Sequence, residues 1–447
     1  MISSLSICKK LICLSLMLFL GGCLSMEWRG GMIPHVGLSK ENSPRKNVTP
    51  NKTVSLRSTS SMWNQYRGPN RDGHIPAQGV ALNWEEKPKA LWKIPTGAGH
   101  SSVLIAEQTV YTLEQSGDRE TLFARNLSNG KEKWRLAQET KWDDMMSGTG
   151  PRSTPTLLDG KLYTLFSNGV LCRVNAKSGK LEWKIKTVDA EYEFPEWGIS
   201  CSPLIWNDLI ILNLGGENGA VRAYSTKDGK LAWKSDLSGK GVYISSSILN
   251  LLGENHLLAA VEGKIAGLNQ NDGKTLWEKP WKIFLNNAQI AQPIALSKSS
   301  FLLAAGYGKG AECWNLSKGA NNEYLIETTW KSKNLKAKFS NPVLKDGYLY
   351  GLSENLLVCL EAKTGDLKWR GNKYGYGRIL VSNDKLLILG NTGVLSIVEA
   401  TPDQFKEVFS EQLLSDVRCW NGPALASGYL VAMNGEELAC FDWAQKL

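Results

Sequence analysis

The sequence has 447 residues and a formal net charge of +9, from 52 lysines and arginines against 43 aspartates and glutamates. The basic residues are spread along the chain without a nucleic-acid-binding motif, so we expect no nucleic-acid partner. The 17 tryptophans and 43 glycines, with only four histidines, favour many short strands and tight turns and disfavour a histidine-rich metal site.

The first residues have the pattern of a secretion signal. Lys9 and Lys10 precede an apolar stretch, 11–20, which is too short to span a bilayer as a permanent helix. The stretch runs into Leu-Gly-Gly-Cys, ending at Cys23, and this sequence resembles a bacterial lipobox. The resemblance implies a lipoprotein signal peptide over 1–22 and acyl chains on Cys23. The alternative is an ordinary secretory signal that happens to contain a cysteine.

Residues 23–60 are rich in Ser, Asn, Lys and Pro and lack hydrophobic periodicity, which is typical of a disordered tether. A lipid-anchored protein on such a tether would face the periplasm of the bacterial cell envelope, with the membrane itself as one partner. The residue after the cysteine is Leu24 and not Asp, which resembles an outer-membrane sorting signal and implies the outer membrane.

A leader, 61–89, separates the tether from the first strong repeat. Its central part, WNQYRGPNRDG at 63–73, is a Gly/Pro turn flanked by aromatic residues and by Arg67 and Arg71. We expect the leader to pack on the folded domain as a cap. A ligand-binding role for the two arginines is the alternative.

One hairpin motif recurs through the rest of the chain. It reads CRVNAKSGKLEW at 172–183 and VCLEAKTGDLKW at 358–369, with a glycine four residues before a tryptophan. An alternating strand meets a turn that ends in glycine, and a second strand opens with the tryptophan. Further copies lie at 123–134, 222–233 and 266–277, with degenerate copies around Trp314 and Trp330 and at 395–412.

A second strand–turn–strand unit accompanies each copy, for example RSTPTLLDGKLYTL at 152–165 and FSNPVLKDGYLYGL at 339–352. Two hairpins give four strands, and successive repeat tryptophans from 134 to 369 lie 39 to 53 residues apart. A four-strand unit of about 40–50 residues is typical of a β-propeller blade. Eight such units predict an all-β fold over 90–447, an eight-bladed propeller with four-stranded antiparallel blades.

The last unit is one strand short, because 419–433 is followed only by LACFDW at 438–443. Near the other end of the domain, an orphan strand at 90–94 precedes the first complete hairpin. We predict that these two parts pair in one shared blade, which closes the ring and removes an exposed sheet edge.

The recurring tryptophans are predicted to be structural. A large apolar ring with one N–H, repeated at one position of the blades, would wedge between neighbouring sheets. The predicted structural tryptophans are Trp92, Trp134, Trp183, Trp233, Trp277, Trp330 and Trp369. Six of the nine cysteines lie beyond Cys23 without a CxxC or adjacent pair, so we expect buried free thiols and no metal site.

The Ala-x-x-Gly-x-x-x-Trp form of the repeat resembles the pyrroloquinoline quinone (PQQ) type of propeller repeat. AKSGKLEW at 176–183 and AKTGDLKW at 362–369 fit it best, and the resemblance covers about 63–443. It implies a propeller with one of two functions, a quinoprotein alcohol dehydrogenase or a non-catalytic lipoprotein of the outer-membrane β-barrel assembly machinery. The leader at 63–73 resembles that of PQQ-like repeat proteins of planctomycetes and related bacteria.

The dehydrogenase alternative requires features that have no matching signature in the sequence. Such enzymes use PQQ with Ca²⁺, a catalytic Asp base and often a disulfide between adjacent cysteines. We therefore expect a monomeric, non-catalytic scaffold for envelope proteins that uses no cofactor. PQQ and Ca²⁺ enter only under the alternative of a PQQ-dependent, dehydrogenase-like oxidoreductase.

A candidate ligand site follows from the starts of the innermost strands, which lie near the central channel of a propeller. Aligned hairpins place a polar, partly cationic and partly aromatic ring of side chains there. The candidate channel-mouth residues are His100, Arg152, Ser153, Tyr243, Gln289, Lys338, Tyr376, Arg378 and Trp420. A periplasmic saccharide- or anion-binding propeller is thus a further alternative, and a hydrated mouth whose polar groups satisfy one another is the simpler interpretation.

Overall fold

A computed structural model describes residues 24–27, 35–38, 56–57, 61–284 and 288–445. These residues form strands, turns and loops without an α-helix, so the predicted all-β class is confirmed. No helix in this part of the chain has the length and hydrophobicity needed to cross a membrane. The signal peptide at 1–22 and the lipidated Cys23 lie outside the described residues and stay predictions.

Eight four-stranded sheets follow one another along the described ranges, and we number them blades 1 to 8. Three strands, β1 (Leu24–Glu27), β2 (His35–Leu38) and β3 (Lys89–Pro95), precede blade 1. Blades 1 and 2 contain β4 (Leu104–Ala106), β5 (Thr109–Ser116), β6 (Arg119–Asn126), β7 (Glu132–Glu139), β8 (Thr156–Leu158), β9 (Lys161–Leu165), β10 (Val170–Asn175) and β11 (Leu181–Lys186). Blades 3 and 4 contain β12 (Leu204–Trp206), β13 (Leu209–Asn213), β14 (Val221–Ser225), β15 (Leu231–Lys234), β16 (Ser247–Leu251), β17 (Glu254–Val261), β18 (Lys264–Leu268) and β19 (Thr275–Pro280).

The second half of the ring continues in the same way. Blades 5 and 6 contain β20 (Ile294–Ala295), β21 (Ser300–Ala305), β22 (Gly310–Lys318), β23 (Tyr324–Ser332), β24 (Val343–Lys345), β25 (Tyr348–Ser353), β26 (Leu356–Glu361) and β27 (Leu367–Lys373). Blades 7 and 8 contain β28 (Arg378–Ser382), β29 (Lys385–Leu389), β30 (Val394–Glu399), β31 (Glu407–Gln412), β32 (Ala424–Ala426), β33 (Tyr429–Met433) and β34 (Glu437–Asp442). The first strand of a blade lines the central channel, since first strands of neighbouring blades contact each other, as β32 contacts β4 and β8 contacts β12.

Blade 8 closes the ring from two distant parts of the chain. Its outer strand is β3, which pairs antiparallel with β34, with Trp92 opposite Cys440 and Ile94 opposite Leu438. The predicted orphan strand at 90–94 is therefore real, and the predicted count of eight blades is confirmed. Because the pairing satisfies the edge of β34, blade 8 has the same four strands as the other blades.

The core lies between the faces of adjacent blades. In blade 1, β5 is almost entirely buried, whereas the outer strand β7 alternates exposed and half-buried residues. Leu104, Leu113 and Leu122 of this blade pack with Leu162 and Phe166 of blade 2 in one buried cluster. The six cysteines from Cys172 onward are buried free thiols within such packing, as expected from their positions in apolar strands.

The repeated tryptophans lie across the gaps between blades. The Trp134 indole N–H donates to the Ala176 carbonyl of blade 2 (3.0 Å), and the Trp369 N–H donates to the Thr401 carbonyl of blade 7 (2.8 Å). The turn glycine of the next blade faces the ring, since a Cβ added at Gly179 would lie 2.6 Å from Trp134. Trp92, Trp183 and Trp330 make the same type of bond, to Leu127, Thr226 and Ala362 respectively.

Two of the seven tryptophans depart from this pattern. Trp233 packs against Gly273 of the next blade, but its N–H has no hydrogen-bond partner in the described chain. Trp277 turns into its own blade, where its N–H donates to His256 Nδ1 (3.1 Å). The inter-blade wedge is thus a property of most copies of the repeat.

The first part of the leader, 61–75, crosses the channel, and we call it the plug. Trp63 exchanges both main-chain hydrogen bonds with Ile105 of blade 1 (2.8 and 2.9 Å). Farther along, the Ile75 amide donates to the Val381 carbonyl of blade 7 (2.7 Å). The plug contacts the ends of these first strands, so it closes the side of the channel to which the first strands point.

Two arginines of the plug reach opposite sides of the ring. Arg67 donates to the Pro342 carbonyl of blade 6 (2.9 Å), and Arg71 donates to the Pro203 carbonyl of blade 3 (3.1 Å). Both residues are buried and both have left-handed backbones, with φ of 62° and 58°. Burial lowers the pKa of Arg71 to about 10. The pair therefore holds the plug to the ring through main-chain carbonyls, without a carboxylate partner among the described hydrogen bonds.

Two short strands fall inside the segment that was predicted as a disordered tether, 23–60. β1 and β2 pair antiparallel, with Leu24 opposite Leu38 and Glu27 opposite His35. The composition of the segment gave no reason to expect these two strands. Its other residues, apart from 56–57, lie outside the described residues, so the tether stays a prediction.

Candidate functional site

The first strands begin at one end of the channel, which we call the mouth. A cavity of about 100 Å³, the mouth cavity, lies there, on the far side of the channel from most of the plug. It is lined by Tyr66, His100, Ser102, Ser147, Arg152, Trp197, Ser200, Tyr243, Ser245, Ile290, Phe339, Arg378 and Trp420. A second cavity of about 770 Å³ lies at the other end, between the plug and the first strands of blades 3 to 7.

Five of the nine candidate residues meet in the mouth cavity. They are His100, Arg152, Tyr243, Arg378 and Trp420. Each precedes or opens the first strand of a blade, so the ring symmetry turns equivalent sequence positions towards one axis. The His100 and Trp420 rings lie 5.1 Å apart between their centroids.

Two further candidates stand beside the cavity, and two do not line it. The Lys338 ammonium lies 5.0 Å from the Tyr376 ring centroid and 5.2 Å from that of Phe339, which does line the cavity. Ser153 is buried, and its carbonyl accepts the Ser101 hydroxyl (2.7 Å). The Ser153 hydroxyl itself has no hydrogen-bond partner in the described chain. Gln289 is also buried, and its side-chain oxygen accepts the Trp281 N–H (2.7 Å), so this amide is engaged within the fold.

Aromatic rings form most of the wall of the mouth cavity. Trp197 stacks on Tyr243 with centroids 4.8 Å apart and planes 20° apart. Phe339 lies between Trp420 (5.1 Å) and Tyr376 (5.3 Å). Such pairs favour offset or edge contacts that keep the rings in place, so the wall is rigid as well as apolar.

Sequence reasoning missed three residues of this wall, Trp197, Phe339 and Tyr66. Trp197 lies in the acidic loop 189–198, DAEYEFPEWG, and the sequence contains no repeat that places this loop over the channel. Phe339 is adjacent to a predicted residue, Lys338, and a shift of one residue in the aligned hairpins would have found it. Tyr66 comes from the plug, whose path across the ring has no periodic signal.

Arg152 holds a loop over the mouth. Its guanidinium donates to Asp144 Oδ2 (3.1 Å), to the Ser147 hydroxyl and to the carbonyls of Gly148 and Gly150. Burial is the largest influence on this group and lowers the pKa of Arg152 to about 10, against the opposing effect of Asp144. The guanidinium is still protonated at neutral pH.

His100 is neutral in this setting. Its Nε2 lies 2.8 Å from the Ser147 carbonyl, which can only accept, so Nε2 carries the hydrogen. Burial and the neighbouring Arg152 hold the pKa of His100 well below its ordinary value. The other ring nitrogen, Nδ1, is then an acceptor, and it has no hydrogen-bond partner among the described residues.

Of the two arginines that line the mouth cavity, Arg378 makes fewer hydrogen bonds than Arg152. Its Nε donates to the Trp420 carbonyl (2.7 Å) and its Nη1 donates to the Phe339 carbonyl. No hydrogen bond from Nη2 and no carboxylate partner occur within the described ranges. One edge of this guanidinium therefore remains available on the cavity side.

The lining does not fit the Ca²⁺–PQQ pair of the dehydrogenase alternative. Ca²⁺ takes six to eight oxygen ligands, several of them carboxylates. In the described part of the chain no three His, Cys, Asp or Glu side chains group closely enough to hold a metal ion. Asp144, a carboxylate beside the mouth, already accepts hydrogen bonds from Arg152 and Ser147. A cavity of about 100 Å³ is also small for a tricyclic quinone with three carboxylates.

Sequence comparison finds relatives among envelope proteins. The family model described as "Outer membrane protein assembly factor BamB" matches residues 75–197 and 139–371, together more than half of the chain. The BamB of Legionella pneumophila (strain Paris) is 25% identical over 208 residues, which are 44% of this chain and 50% of that protein. The BamB of Moranella endobia (strain PCIT) is 21% identical over 288 residues, 60% of this chain and 68% of that protein. The chain thus spans about half the length of the first of these relatives.

Solved structures show the same fold. BamB from Moraxella catarrhalis aligns with a TM-score of 0.55 at 12% identity, covering 80% of this chain and 100% of that one. A quinohemoprotein alcohol dehydrogenase, ADHIIG from Pseudomonas putida HK5, aligns with a TM-score of 0.61 at 12% identity, covering 87% and 81%. At these identities the likeness concerns the fold, which scaffolds and dehydrogenases share. With its PQQ-type repeats, its closed ring of blades and a family match over more than half of its length, the chain belongs to the family described as outer membrane protein assembly factor BamB.

Proposed function

We propose that the protein is a non-catalytic scaffold of the bacterial cell envelope that binds other envelope proteins through loops at the mouth end. One observation carries the proposal. Large apolar side chains stand in solvent on three connections between blades, with Met145 83%, Phe284 79% and Phe194 40% exposed. These connections run from the last strand of one blade to the first strand of the next, so all three lie at the mouth end.

Two of these loops, those that carry Met145 and Phe194, are anchored by contacts to the blades and to each other. The Trp142 amide donates to Gln115 Oε1 of β5 (2.8 Å), and Asp144 Oδ1 accepts the Met146 amide (2.9 Å). Phe194 packs on Trp142 with ring centroids 6.1 Å apart and ring planes 42° apart. A fixed loop that exposes apolar side chains pays no ordering entropy when a partner covers them, which is typical of an interaction site.

Family membership supports the class of partner. The relatives are named as outer membrane protein assembly factors, so we propose that the partner belongs to the proteins that assemble the outer membrane. Because the first relative is matched over only half of its length, the partner is part of the proposal.

The proposal extends to the anchor and the location. Acyl chains on Cys23 would tether the propeller to the outer membrane, facing the periplasm, as a monomer beside its partner. Metabolic labelling with a fatty-acid analogue should mark the native chain and leave Cys23→Ala unlabelled. Density fractionation should then find the native chain with outer membranes and the variant in the soluble periplasm.

The docking surface is tested by cross-linking in cells. A photoreactive amino acid in place of Met145 should capture a defined envelope protein, and Met145→Asp with Phe284→Asp should reduce co-purification of that protein by about tenfold or more. Leu231→Asp with Leu325→Asp is the matched control, because these leucines are similarly apolar, 47% and 46% exposed, and lie on the outer strands β15 and β23. Equal loss in both variants, or capture of no envelope protein at position 145, would exclude the mouth-end surface.

A further inference from the structure

We propose that the mouth cavity binds a small organic carboxylate, with its charge against Arg378 and two indole N–H groups and its apolar part against the aromatic wall. This binding site goes beyond the scaffold function and does not depend on it. The scaffold uses side chains in solvent on the loops, whereas this site lies inside the channel.

The charge of the cavity favours an anion. Arg152 and Arg378 both line it, and the guanidinium of Arg418 lies 4.7 Å from the Trp420 ring centroid. Asp144 pairs with Arg152, but the described hydrogen bonds of Arg378 go to main-chain carbonyls. A carboxylate oxygen beside Arg378 Nη2 would complete the hydrogen bonds of this guanidinium in a charge-assisted way.

Buried donors point to the same occupant. The N–H groups of Trp197 and Trp420 and the Nε–H of Arg152 are buried without a hydrogen-bond partner in the described chain. Trp420 is 6% exposed, the Arg152 side chain is 8% exposed, and both residues line the cavity. An orphaned buried donor is unfavourable, so a ligand that brings acceptor oxygens gains more here than at an exposed cationic surface.

The size and the wall select the class of anion. The volume of about 100 Å³ is smaller than an apolar cavity of roughly 150 Å³ that accommodates benzene. Trp197 and Tyr243 stack on each other and Phe339 meets Trp197 edge to face, so the wall presents apolar ring atoms. Such a wall disfavours a strongly hydrated dianion such as sulfate or phosphate because it would lose its water. A planar monoanionic carboxylate with two to four carbons places its apolar part on these rings and its charge on the cations.

The plug supplies the floor of the site. Tyr66 lines the cavity from the plug side, and its hydroxyl accepts a hydrogen bond from Asn341 Nδ2 of blade 6 (2.8 Å). Since the plug closes the channel behind Tyr66, the ligand enters and leaves through the mouth alone. The leader is thereby part of the binding site as well as a structural cap.

Calorimetry on the full chain tests the proposal with an isosteric pair, propionate and propionamide, and with sulfate as a second anion. We expect saturable binding of propionate at least tenfold tighter than that of either competitor. Arg378→Gln should weaken propionate binding about tenfold or more. Trp420→Phe keeps an aromatic ring but removes the N–H together with the five-membered part of the indole, and we expect it to weaken binding about threefold to tenfold.

Arg119→Gln is the matched control, because Arg119 is an arginine of blade 1 whose side chain is 62% exposed, and it should leave binding unchanged. Equal affinity for propionate and propionamide, no binding of propionate, or sulfate binding as tight as propionate would each overturn the proposal. Unchanged affinity in Trp420→Phe would also contradict it, and this variant keeps the test valid if Arg378→Gln folds poorly. The docking variant Met145→Asp should bind propionate normally, so failure of either proposal is distinguishable from failure of the other.

Discussion

At the scale of single residues, a buried carboxylate joins blades 1 and 2. Glu120 is fully buried, and its Oε2 accepts the main-chain amide of Ser167 (2.9 Å), while its Oε1 has no partner in the described chain. Burial raises the pKa of Glu120 above its ordinary value of 4.5, and the opposing effect of Arg152 is smaller. The folded state therefore holds this proton more tightly than the unfolded chain does.

The sign of the pH dependence follows from this difference. As pH rises from 4.5 through the folded-state pKa, the folded protein must give up a proton that the unfolded chain has already lost, so stability falls. Glu120→Gln keeps an acceptor for the Ser167 amide and cannot ionise. We expect its free energy of unfolding, relative to the native protein, to increase between pH 4 and pH 7 in urea denaturation. Glu139→Gln, at a glutamate 72% exposed, should follow the native pH profile, and identical profiles for all three proteins would contradict the assignment.

Residues at the mouth show what sequence spacing can and cannot place. His100, Arg152 and Arg378 were found because hairpin alignment locates the start of each first strand, and ring symmetry turns these starts to one axis. Gln289 was predicted to line the cavity, but its neighbour Ile290 does so instead. A shift of one residue in the alignment turns a side chain to the opposite face of the strand. Loops have no such period, so the contribution of Trp197 was not predictable.

At the scale of elements, the turn between the third and fourth strands couples one blade to the next. Gly179 has φ of +72°, and a Cβ there would lie 2.6 Å from the Trp134 ring of blade 1. Glycine is thus required at this turn position for two reasons, the left-handed backbone and the space for the indole ring. The sequence repeat predicted this element well, because both needs fall on residues at fixed spacing.

The two needs can be separated by mutation. Gly160→Ala places a Cβ at φ +69° with nothing within 4 Å, so it should cost only the backbone strain, about 1–2 kcal/mol of unfolding free energy. Gly179→Ala adds the clash with Trp134 at nearly the same φ, and we expect it to cost about 1–3 kcal/mol more. Chemical denaturation of both variants measures the difference. Equal costs would show that the indole moves freely and that the turn does not couple the blades.

At the scale of the whole molecule, β3 is the element on which ring closure depends. It brings Leu91 and Trp92, both buried, into blade 8 and covers the edge of β34. The closure was predictable because the last repeat unit, 419–443, had only three strands, and the strand at 90–94 belonged to no other unit. The leader was expected to pack on the ring as a cap, but its path across the channel was not predictable, since its contacts with blades 1, 3, 6 and 7 arise only once the ring exists.

Two truncated chains separate closure from plugging. A chain of residues 76–447 lacks the plug and keeps β3, and we expect it to remain monomeric. A chain of residues 96–447 also lacks β3, which exposes the edge of β34 and removes two large apolar side chains from the core. It should unfold more than about 10 °C below the longer chain and form oligomers in light scattering. Similar melting and a monomeric state for both chains would refute a closing role for β3.

The pairing of β3 with β34 also determines when the ring can close during synthesis of the chain. Synthesis delivers β3 before any complete blade, whereas its partner β34 follows all the other strands of the eight blades. Until then the growing row of blades is an open arc with a bare strand at its leading edge, which is the state most prone to pair with other chains. A chain interrupted before β34 keeps that bare edge, so completion of β34 decides whether the blades made before it become a closed, stable ring or a substrate for proteolysis.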